Sequence, residues 1–600
     1  MDPDHRIGRL RAALSQRQLA AAVILTSDPH LSEYIPEYWQ VRQWLTGFDG
    51  SAGTLVVTAD FAGLWVDSRY WEQAELDLAG TGIAVMQLGS HDVPDPDSWL
   101  AQNLAAGQRV WLDFRTLSVQ AHQRLSRSLD KAGMELVGQP DLIDSIWPDR
   151  PALPAQAVYA HMPPYACRTR AGNLQAVRDA MAQHGAQWHV LSSLDDIAWL
   201  FNLRGSDVPY NPVFLAHAII GAENARLFIA PDKISPDLVR QLRDDAITVL
   251  DYQDFDDAVA ALPASDTVLF DPARMTVAAW QRFRDLDQVS CLNPSQLLKA
   301  CKNNAEIEHV RRTMEYDGAA LCEFFAWFET ALGRETITEL TVDERLTQAR
   351  ARQPGFVSPS FGTIAAFNAN GAMPHYQATP DRHAEITADG LLLIDSGGQY
   401  LGGTTDITRV VPTGKVTDAQ RHDFTVVLKG MIALSQAHFP QGTPGPMIDA
   451  IARAPLWQAG VDFGHGTGHG VGYFMNVHEG PQSISPRARI SPDMAMRPGM
   501  ITSNEPGLYR PGQWGIRIEN LVLTVPAGKT PFGEFLKFET LTLCPIDTRC
   551  IDPAMLTRSE TGWLDAYHRH VRDRLLPLTA GAAREWLVER TQPLGGQAAS

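Results

Sequence analysis

Acidic residues stand inside some of the most apolar strand-like segments of this sequence, and the cost of burying them constrains what the chain can fold into. The run LLLI at 391–394 closes on Asp395, and Glu519 stands in the middle of the segment WGIRIENLVLTV. A carboxylate in such a segment is costly to bury unless it is paired or coordinates a metal. The sequence therefore predicts a charged site among these strands.

Two more acidic residues share this setting. Asp406, eleven residues after Asp395 in TTDITRVV, is predicted in an alternating strand, and Glu505 in SNEPGLY is predicted at a strand end before a Pro-Gly turn. Each aspartate alone is also compatible with a turn or a helix cap. Period-two alternation places Arg517 on the same face as Glu519, so a structural salt bridge within one strand remains an alternative.

Histidines cluster in FGHGTGHGVGYFMNVHEGP, which holds His465, His469 and His478 within fourteen positions. The first two are four residues apart, as in a zinc-protease helix, but each intervening glycine costs a helix about 1 kcal/mol. A tight loop or strand is therefore predicted. The glycine spacing matches neither GxGxxG nor GK[ST], which argues against a phosphate-binding loop.

The combined set is Asp395, Asp406, His469, Glu505 and Glu519. Oxygen-rich ligation with one imidazole and no thiolate suits Mn²⁺, Co²⁺ or catalytic Zn²⁺ better than a structural zinc site. Five ligands, two of them able to bridge, suit two ions about 3.5–4 Å apart. Two divalent ions would offset the four negative charges of the carboxylates.

Composition narrows the function classes. With 51 basic and 69 acidic residues the formal charge is −18, which argues against nucleic acid as the main partner. The six cysteines form no CxxC pair, which is typical of reduced thiols. The charged N-terminus has no apolar signal core, and no apolar run approaches the roughly 20 residues that span a bilayer. We expect a soluble cytoplasmic protein without a membrane partner.

The chain divides into three blocks, and the first two share a rhythm. VILTSD and LTGFDGS in the first correspond to HVLSSLDD and LRGSDV in the second, about 160 residues later, which indicates a weak internal duplication. Helices are predicted near 7–19 and 171–184, and Asn303 with Glu306 forms a plausible capping pair opening the third block. The last helix is expected to end in a frayed tail. The whole chain reads as mixed α/β and α+β.

The order D-x10-D, H, E, E, carried by DSGGQY, GTTDITR, HGTGHGVG, NVHEGP, SNEPGLY and GIRIEN, resembles the pita-bread metallopeptidases, and within them the three-domain Xaa-Pro aminopeptidases (aminopeptidase P). LTGFDGSAGTLVVT and DSRYWEQA resemble the first domain of that group. The resemblance implies a creatinase-like domain I at 1–150, a creatinase-like domain II at 151–298 and an α+β pita-bread catalytic domain at 299–600.

The resemblance also implies roles for individual residues. The metal ligands would be the five residues named above, with Asp406 and Glu519 contacting both ions, most commonly Mn²⁺. His375, in GAMPHYQA, would line the substrate pocket, His478 would bind the substrate near the scissile carbonyl, and His465 would lie behind them. Arg69, in VDSRYW, would reach toward the bound peptide. Leu508 departs from the pattern, because a tyrosine is expected after EPG.

The expected activity is release of the N-terminal residue from peptides with proline in position two. Two metals would lower the pKa of a bound water molecule. Glu505 would carry its proton to the leaving nitrogen, and His478 would stabilise the oxyanion. The family commonly forms homodimers. A prolidase restricted to Xaa-Pro dipeptides, and a catalytically dead pita-bread binding module, remain alternatives.

Overall fold

The computed structural model describes residues 2–138 and 141–594. The chain forms two compact units, Met1–Gln296 and Leu297–Ser600. The tail for which fraying is expected, 595–600, lies outside the described residues. No helix in the described part is long and apolar enough to cross a membrane.

The first half of the N-terminal unit alternates helices with a six-stranded sheet of order β4-β3-β2-β1-β5-β6. Its elements are α1 (Pro3–Gln16), β1 (Ala21–Leu25), α2 (Val41–Thr46), β2 (Thr54–Thr58), β3 (Ala62–Val66), α3 (Trp71–Asp77), β4 (Ala84–Gln87), α4 (Pro96–Asn103), β5 (Arg109–Trp111), α5 (Val119–Lys131), β6 (Glu135–Val137) and α6 (Leu142–Ile146). The apolar strands β1 to β3 are almost wholly buried, as their runs of Ala, Val, Leu and Ile require.

The second half of this unit contains a sheet of order β12-β11-β10-β8-β13-β14 and a short pair, β7 with β9. Its elements are β7 (Tyr159–Ala160), α7 (Arg170–Gln183), β8 (Trp188–Leu191), α8 (Leu194–Leu200), β9 (Leu203–Arg204), β10 (His217–Gly221), β11 (Ala225–Phe228), α9 (Pro236–Asp244), β12 (Ile247–Leu250), α10 (Phe255–Ala260), β13 (Thr267–Phe270), α11 (Val277–Trp280) and β14 (Asp287–Ser290).

The two large sheets confirm the predicted duplication. In each, the first strand pairs antiparallel with its neighbour on one side and parallel with its neighbour on the other, and the outer pairs are parallel. Equivalent segments of the two halves also contact each other reciprocally. The amide of Val119 donates to Met275 O and that of Val277 donates to Leu117 O, both at 2.9 Å. This reciprocity is that of a local two-fold axis.

The C-terminal unit carries the acidic strands. Its elements, beginning with the helix in which the chain enters it, are α12 (Pro294–Ala300), α13 (Asn304–Ala331), α14 (Glu339–Ala351), β15 (Phe356–Pro359), β16 (Ile364–Phe367), β17 (Leu391–Ser396), β18 (Gly398–Tyr400), β19 (Gly403–Thr404), β20 (Ile407–Pro412), α15 (Asp418–Ser435), β21 (His438–Pro440), α16 (Asp449–Gln458), β22 (Gly468–Gly470), β23 (Glu479–Ile484), β24 (Ile501–Asn504), β25 (Gly507–Arg510), β26 (Trp514–Arg517), β27 (Asn520–Thr530), β28 (Gly533–Thr540), α17 (Arg558–Leu575) and α18 (Gly581–Arg590).

Small sheets of this unit bring distant segments together. One has the order β21-β28-β27-β24-β22-β23, another β16-β17-β20, and β25 pairs with β26. The long helix α13 packs against α14, α17, α18 and β19. It begins with the predicted capping box, in which Asn303 accepts from the Glu306 amide and the Glu306 carboxylate accepts from the Asn303 amide. The ends of β17, β22, β24 and β26 converge on the acidic residues.

Candidate metal centre

The predicted carboxylates and imidazole converge in the C-terminal unit. Ligand atoms of Asp406, His469 and Glu519 all lie within 4.8 Å of one another. His469 Nε2 lies 3.5 Å from Asp406 Oδ2 and 3.5 Å from Glu505 Oε1. The fifth residue, Asp395, is opposite Thr408 in the β17–β20 pairing, directly beside this group.

The two aspartates come from one antiparallel pair of strands. Asp395 lies near the end of β17, as predicted. Asp406 does not lie in an alternating strand, which corrects the prediction: it directly precedes β20, and every residue of β20 is buried. Apolar and polar residues do not alternate in β20 because both faces of the strand are buried. Its residues Val410, Val411 and Pro412 are therefore apolar on both faces.

His469 is held on β22, a strand rather than a helix, as its flanking glycines predict. A Cβ on Gly468 would lie 1.9 Å from Ser503 O, and one on Gly470 would lie 2.2 Å from Glu479 O, so only glycine permits the strands to approach this closely. His469 Nδ1 faces Gly470 O at 2.9 Å. A carbonyl only accepts, so Nδ1 carries the proton and the Nε2 lone pair points at the carboxylates.

Glu505 follows β24 directly, as predicted. Its amide donates to Thr467 O at 2.8 Å, which ties it to the strand of His469. Ser503 donates to Glu505 Oε1 at 3.2 Å and accepts from the His469 amide at 2.9 Å. One serine hydroxyl therefore sets the spacing between the carboxylate and the imidazole.

Glu519 does not lie in the middle of a strand, which corrects a second prediction. It falls between β26 and β27, where the chain passes from the β25–β26 pair into the large sheet. The same-face pairing of Arg517 with Glu519 is also wrong, because Arg517 instead binds Asp395 Oδ2 at 2.6 Å. Glu519 Oε2 accepts from the Thr408 hydroxyl at 2.9 Å. Period-two alternation cannot hold across a strand break.

Burial and the crowding of negative charge raise the pKa values of three of these carboxyl groups. Burial, followed by the charges of Asp395 and Glu505, raises the pKa of Asp406 well above its usual range. Burial, followed by the charges of Asp406, Asp395 and Glu505, also raises the pKa of Glu519 well above its usual range. Burial also raises the pKa of Glu505 to about 7, although the Arg517 cation opposes the shift. The carboxylates thus lack enough positive charge to be stable as a fully ionised set.

Two buried oxygens of this group have no hydrogen-bond partner among the described residues, Asp395 Oδ1 and Glu519 Oε1. A buried carboxylate oxygen without a donor is costly, and a divalent cation would satisfy it. The donor set of carboxylate oxygens and one imidazole nitrogen also matches catalytic divalent metals. The residues present therefore fit a metal site.

A hydrogen-bond chain lies behind the carboxylates and contains a residue that the sequence analysis missed. The Tyr509 hydroxyl contacts His465 Nε2 at 2.8 Å and accepts from Arg517 Nη1 at 2.7 Å. Leu508, where a tyrosine is expected, is buried, and Tyr509 supplies the hydroxyl one residue later. The sequence signal was the tyrosine in EPGLY, whose direction only the β25–β26 pairing reveals.

The remaining predicted residues are placed as follows. The His478 ring lies edge-on to His469, with centroids 4.3 Å apart, beside the ligand group. His375 is half-buried, and the residue before it, Pro374, accepts from Arg517 Nη2 at 3.2 Å. Arg69 lies in the N-terminal unit, where it forms a bidentate pair with Asp67 at 2.8 Å for both contacts. Its predicted contact with substrate stays a prediction.

Four protein-family models match the chain. Two describe the creatinase/prolidase N-terminal domain, at residues 6–146 and 149–306. A third describes metallopeptidase family M24, at residues 308–526, and a fourth the C-terminal region of peptidase M24, at residues 534–594.

Relatives match along the whole chain. Aminopeptidase P2 of Arabidopsis thaliana is 39% identical over 98% of this chain and 88% of its own length. A probable Xaa-Pro aminopeptidase P of Paracoccidioides brasiliensis is 36% identical over 99% of this chain and 100% of its own. Among solved structures, the X-prolyl aminopeptidase of Caenorhabditis elegans, described as a cytosolic enzyme with a di-nuclear active site, superposes with a TM-score of 0.94 at 31% identity, covering 99% of this chain and 100% of its own. These matches confirm the predicted fold class of two creatinase-like α/β domains followed by a pita-bread catalytic domain.

Proposed function

Because the chain belongs to metallopeptidase family M24, we propose that it is an Xaa-Pro aminopeptidase, which releases the N-terminal residue from peptides with proline in position two. The observation that carries the proposal is the full-length likeness to aminopeptidases P together with a cluster of Asp406, His469 and Glu519 that could hold a metal ion in the C-terminal unit. A dead binding module of this fold would be expected to lack ligands, and all five are present here.

The proposed ligands of two divalent ions are Asp395, Asp406, His469, Glu505 and Glu519. The unsatisfied oxygens Asp395 Oδ1 and Glu519 Oε1 and the raised carboxyl pKa values support this assignment. When bound, two such ions would lower the pKa of a water molecule and polarise the scissile carbonyl. The ions are proposed to be Mn²⁺, as the resemblance to this family implies, although the donor set also accepts Co²⁺ or Zn²⁺.

Residues of the site are proposed to transfer the proton, stabilise the oxyanion and orient neighbouring side chains. The Glu505 side chain is 17% exposed, against 5% for Asp406 and 11% for Asp395. Glu505 is proposed to take a proton from the attacking water and deliver it to the leaving proline nitrogen. His478 is proposed to donate to the carbonyl oxygen as its negative charge develops. Arg517 neutralises Asp395 and anchors Tyr509, which in turn orients His465.

Substrate recognition is proposed to involve His375 and His478 in the C-terminal unit and Arg69 in the N-terminal unit. The Xaa-Pro bond is a tertiary amide without an N–H group. A site that offers no acceptor at this position and has room for the ring would therefore favour proline. Binding of the free amine of the first residue would restrict cleavage to the N-terminus of the peptide substrate.

Assembly and location are proposed as well. Trp457, Met447 and Ile490 are large apolar residues exposed by 51%, 62% and 61% on the C-terminal unit. Apolar side chains exposed to this degree can contribute to an interface, and a homodimer is proposed because the resemblance to this family implies one. A cytoplasmic location is supported by the description of the Caenorhabditis elegans relative as a cytosolic enzyme.

The test is hydrolysis of an Xaa-Pro-Xaa tripeptide and the matching Xaa-Pro dipeptide by metal-free protein to which Mn²⁺, Co²⁺ or Zn²⁺ is added in turn. We expect cleavage of the tripeptide, greatest with Mn²⁺. Cleavage of the dipeptide alone would identify a prolidase. Absence of both metal binding and hydrolysis would favour a binding module.

A further inference from the structure

A buried arginine joins the metal centre to the C-terminal region, the segment 534–594 that forms a family model of its own. Arg409, on β20, is 3% exposed. Its guanidinium makes six hydrogen bonds, to Pro545 O at 3.1 Å, Thr408 O at 2.9 Å, Glu519 O at 2.6 Å, Asn520 Oδ1 at 2.8 Å, Cys544 O at 2.8 Å and the Tyr567 hydroxyl at 3.0 Å. Arg409 forms no ion pair with a carboxylate in the described residues. It donates only to backbone carbonyls and to the neutral side chains of Asn520 and Tyr567.

The shortest of these contacts is to Glu519, the residue that alternation wrongly placed in the middle of a strand. Glu519 lies where the chain leaves β26 and has not yet entered β27, so no sheet ladder holds it. Instead its carbonyl accepts from Arg409, and its amide donates to Thr408 O at 3.2 Å. Thr408 also donates its hydroxyl to Glu519 Oε2 at 2.9 Å. Glu519 Oε1, by contrast, has no hydrogen-bond partner among the described residues.

Arg409 is in turn held from α17 by Tyr567. The Tyr567 hydroxyl accepts from Arg409 Nη2 and can donate to Cys544 O at 2.9 Å or Thr542 O at 3.0 Å. The Tyr567 ring is stacked on Trp563, with centroids 5.3 Å apart and planes 8° from parallel, which fixes the direction of its hydroxyl. Tyr567 is 6% exposed, so water cannot readily replace it as the acceptor.

We propose that the C-terminal region positions the metal centre: Tyr567 holds the guanidinium of Arg409, and Arg409 holds the backbone of Glu519 so that its free oxygen faces the ions. This rests on the proposed role of Glu519 as a metal ligand. Tyr567 and Arg409 are positioning residues, since neither belongs to the proposed metal ligands or the proposed substrate-binding residues. Groups that orient metal ligands commonly change metal affinity by about 10–100-fold when they are removed.

The alternative is that α17 only stabilises the fold, and a neighbouring residue separates the two cases. His568 is fully buried on the same helix, and its Nε2 accepts from the Ile546 amide at 3.1 Å, but it makes no hydrogen bond to Arg409. Tyr567→Phe removes the hydrogen bonds of the hydroxyl with Thr542 and Cys544, and His568→Leu removes the hydrogen bond from the Ile546 amide, so both variants loosen α17 from the segment 542–546. Only the first removes support from Arg409.

The experiment is calorimetric titration of Mn²⁺ into metal-free full-length protein, with thermal melts of the same samples. We expect both variants to melt at lower temperature, and only Tyr567→Phe to raise the Kd for Mn²⁺, by about tenfold. Arg409→Lys, which keeps the charge but loses donors, should raise it further. Unchanged Mn²⁺ affinity in Tyr567→Phe, or an equal loss in His568→Leu, would overturn the proposal.

Two further results keep the test decisive. If Tyr567→Phe does not fold, Arg409→Lys is read in the same titration, and wild-type affinity there overturns the proposal. If the unmodified protein binds no Mn²⁺, Co²⁺ or Zn²⁺, the proposed function itself fails and the positioning role falls with it. That outcome is read on the unmodified chain, so the two failures are distinguishable.

Discussion

Two buried groups of the C-terminal unit combine carboxylates with arginine, and they are balanced differently. In the first, Arg350 binds Asp317 through two contacts, at 2.8 and 3.3 Å, and the Tyr400 hydroxyl donates to Asp317 Oδ1 at 2.9 Å. The two charged side chains are 2% and 5% exposed. One positive charge meets one negative charge, and the second carboxylate oxygen is also bound.

The metal centre has the same chemistry without the balance. Its four carboxylates share one ion-paired arginine among the described residues, Arg517, which binds Asp395. Two of its buried oxygens lack donors, Asp395 Oδ1 and Glu519 Oε1. A buried charge is tolerated when it is neutralised and hydrogen-bonded. The difference teaches that excess negative charge, rather than burial of charge as such, distinguishes a cation site from a structural ion pair.

The largest expected effect is on the unbalanced group. His469→Ala should lower kcat/KM for an Xaa-Pro-Xaa peptide by about a thousandfold or more, because a proposed ligand nitrogen is lost. Mn²⁺ binding should weaken in parallel. His438→Ala, at an exposed position on β21, is the matched control. Full turnover by His469→Ala would refute the site. Glu505→Ala is expected to be inactive too, as ligand and proton carrier.

Substitution in the balanced pair of Arg350 and Asp317 should change the free energy of unfolding rather than metal binding. Arg350→Met leaves Asp317 buried without its partner, so we expect the free energy of unfolding to fall by about 3–5 kcal/mol. Mn²⁺ stoichiometry should be unchanged in the protein that remains folded. Adding Asp317→Leu to this variant should restore most of the loss, because no unpaired charge is left. Chemical denaturation measures both, and a double variant as unstable as the single one would contradict this account.

A smaller effect concerns pH in the metal-free protein. A carboxyl group whose pKa is raised on folding stabilises the fold below its unfolded pKa, and this stability is lost as pH rises through the folded value. For Glu505 the pKa rises from 4.5 to about 7. Glu505→Gln should therefore stabilise the metal-free protein more at pH 8 than at pH 5, by about 2 kcal/mol. Thermal melts in EDTA at the two pH values measure the difference, and saturating Mn²⁺ should remove it. An equal effect at both pH values would contradict the raised pKa.

The smallest effect is expected at an exposed pair. Arg352 binds Glu323 at 2.8 Å, but the side chains are 55% and 45% exposed. Water already solvates both groups, so Arg352→Ala should change the free energy of unfolding by about 1 kcal/mol or less. Denaturant titration beside Arg350→Met gives the contrast directly. A loss comparable with that of Arg350→Met would show that exposure does not govern these pairs.

Much of the fold was readable from local patterns. The repeated strings near VILTSD and HVLSSLDD predicted two related domains, and their sheets have the same strand order and directions. Asn303 and Glu306 predicted a capping box because both partners lie within one helical turn. The glycines around His469 predicted a strand or loop because glycine disfavours helix. Each of these signals is carried by residues that are neighbours in sequence.

The failed predictions share the opposite property. Asp406 was predicted in an alternating strand, but the burial of β20 on both faces depends on elements far along the chain. Glu519 was predicted in the middle of a strand, but the chain changes sheets there. Arg517 pairs with Asp395, which is 122 positions away, rather than with its near neighbour. Alternation describes one strand and carries no information about which strands meet.

The sequence by itself determined the order and kinds of the candidate metal ligands, the duplicated N-terminal architecture and the family, because these follow from residue type and spacing. The tertiary structure alone decided which oxygens remain without a partner, that Tyr509 supplies the hydroxyl missing at position 508, and that Arg409 links α17 to Glu519. The physical reason is that hydrogen-bond satisfaction and charge balance are properties of a packed volume, and the groups that fill this one come from segments up to 158 residues apart.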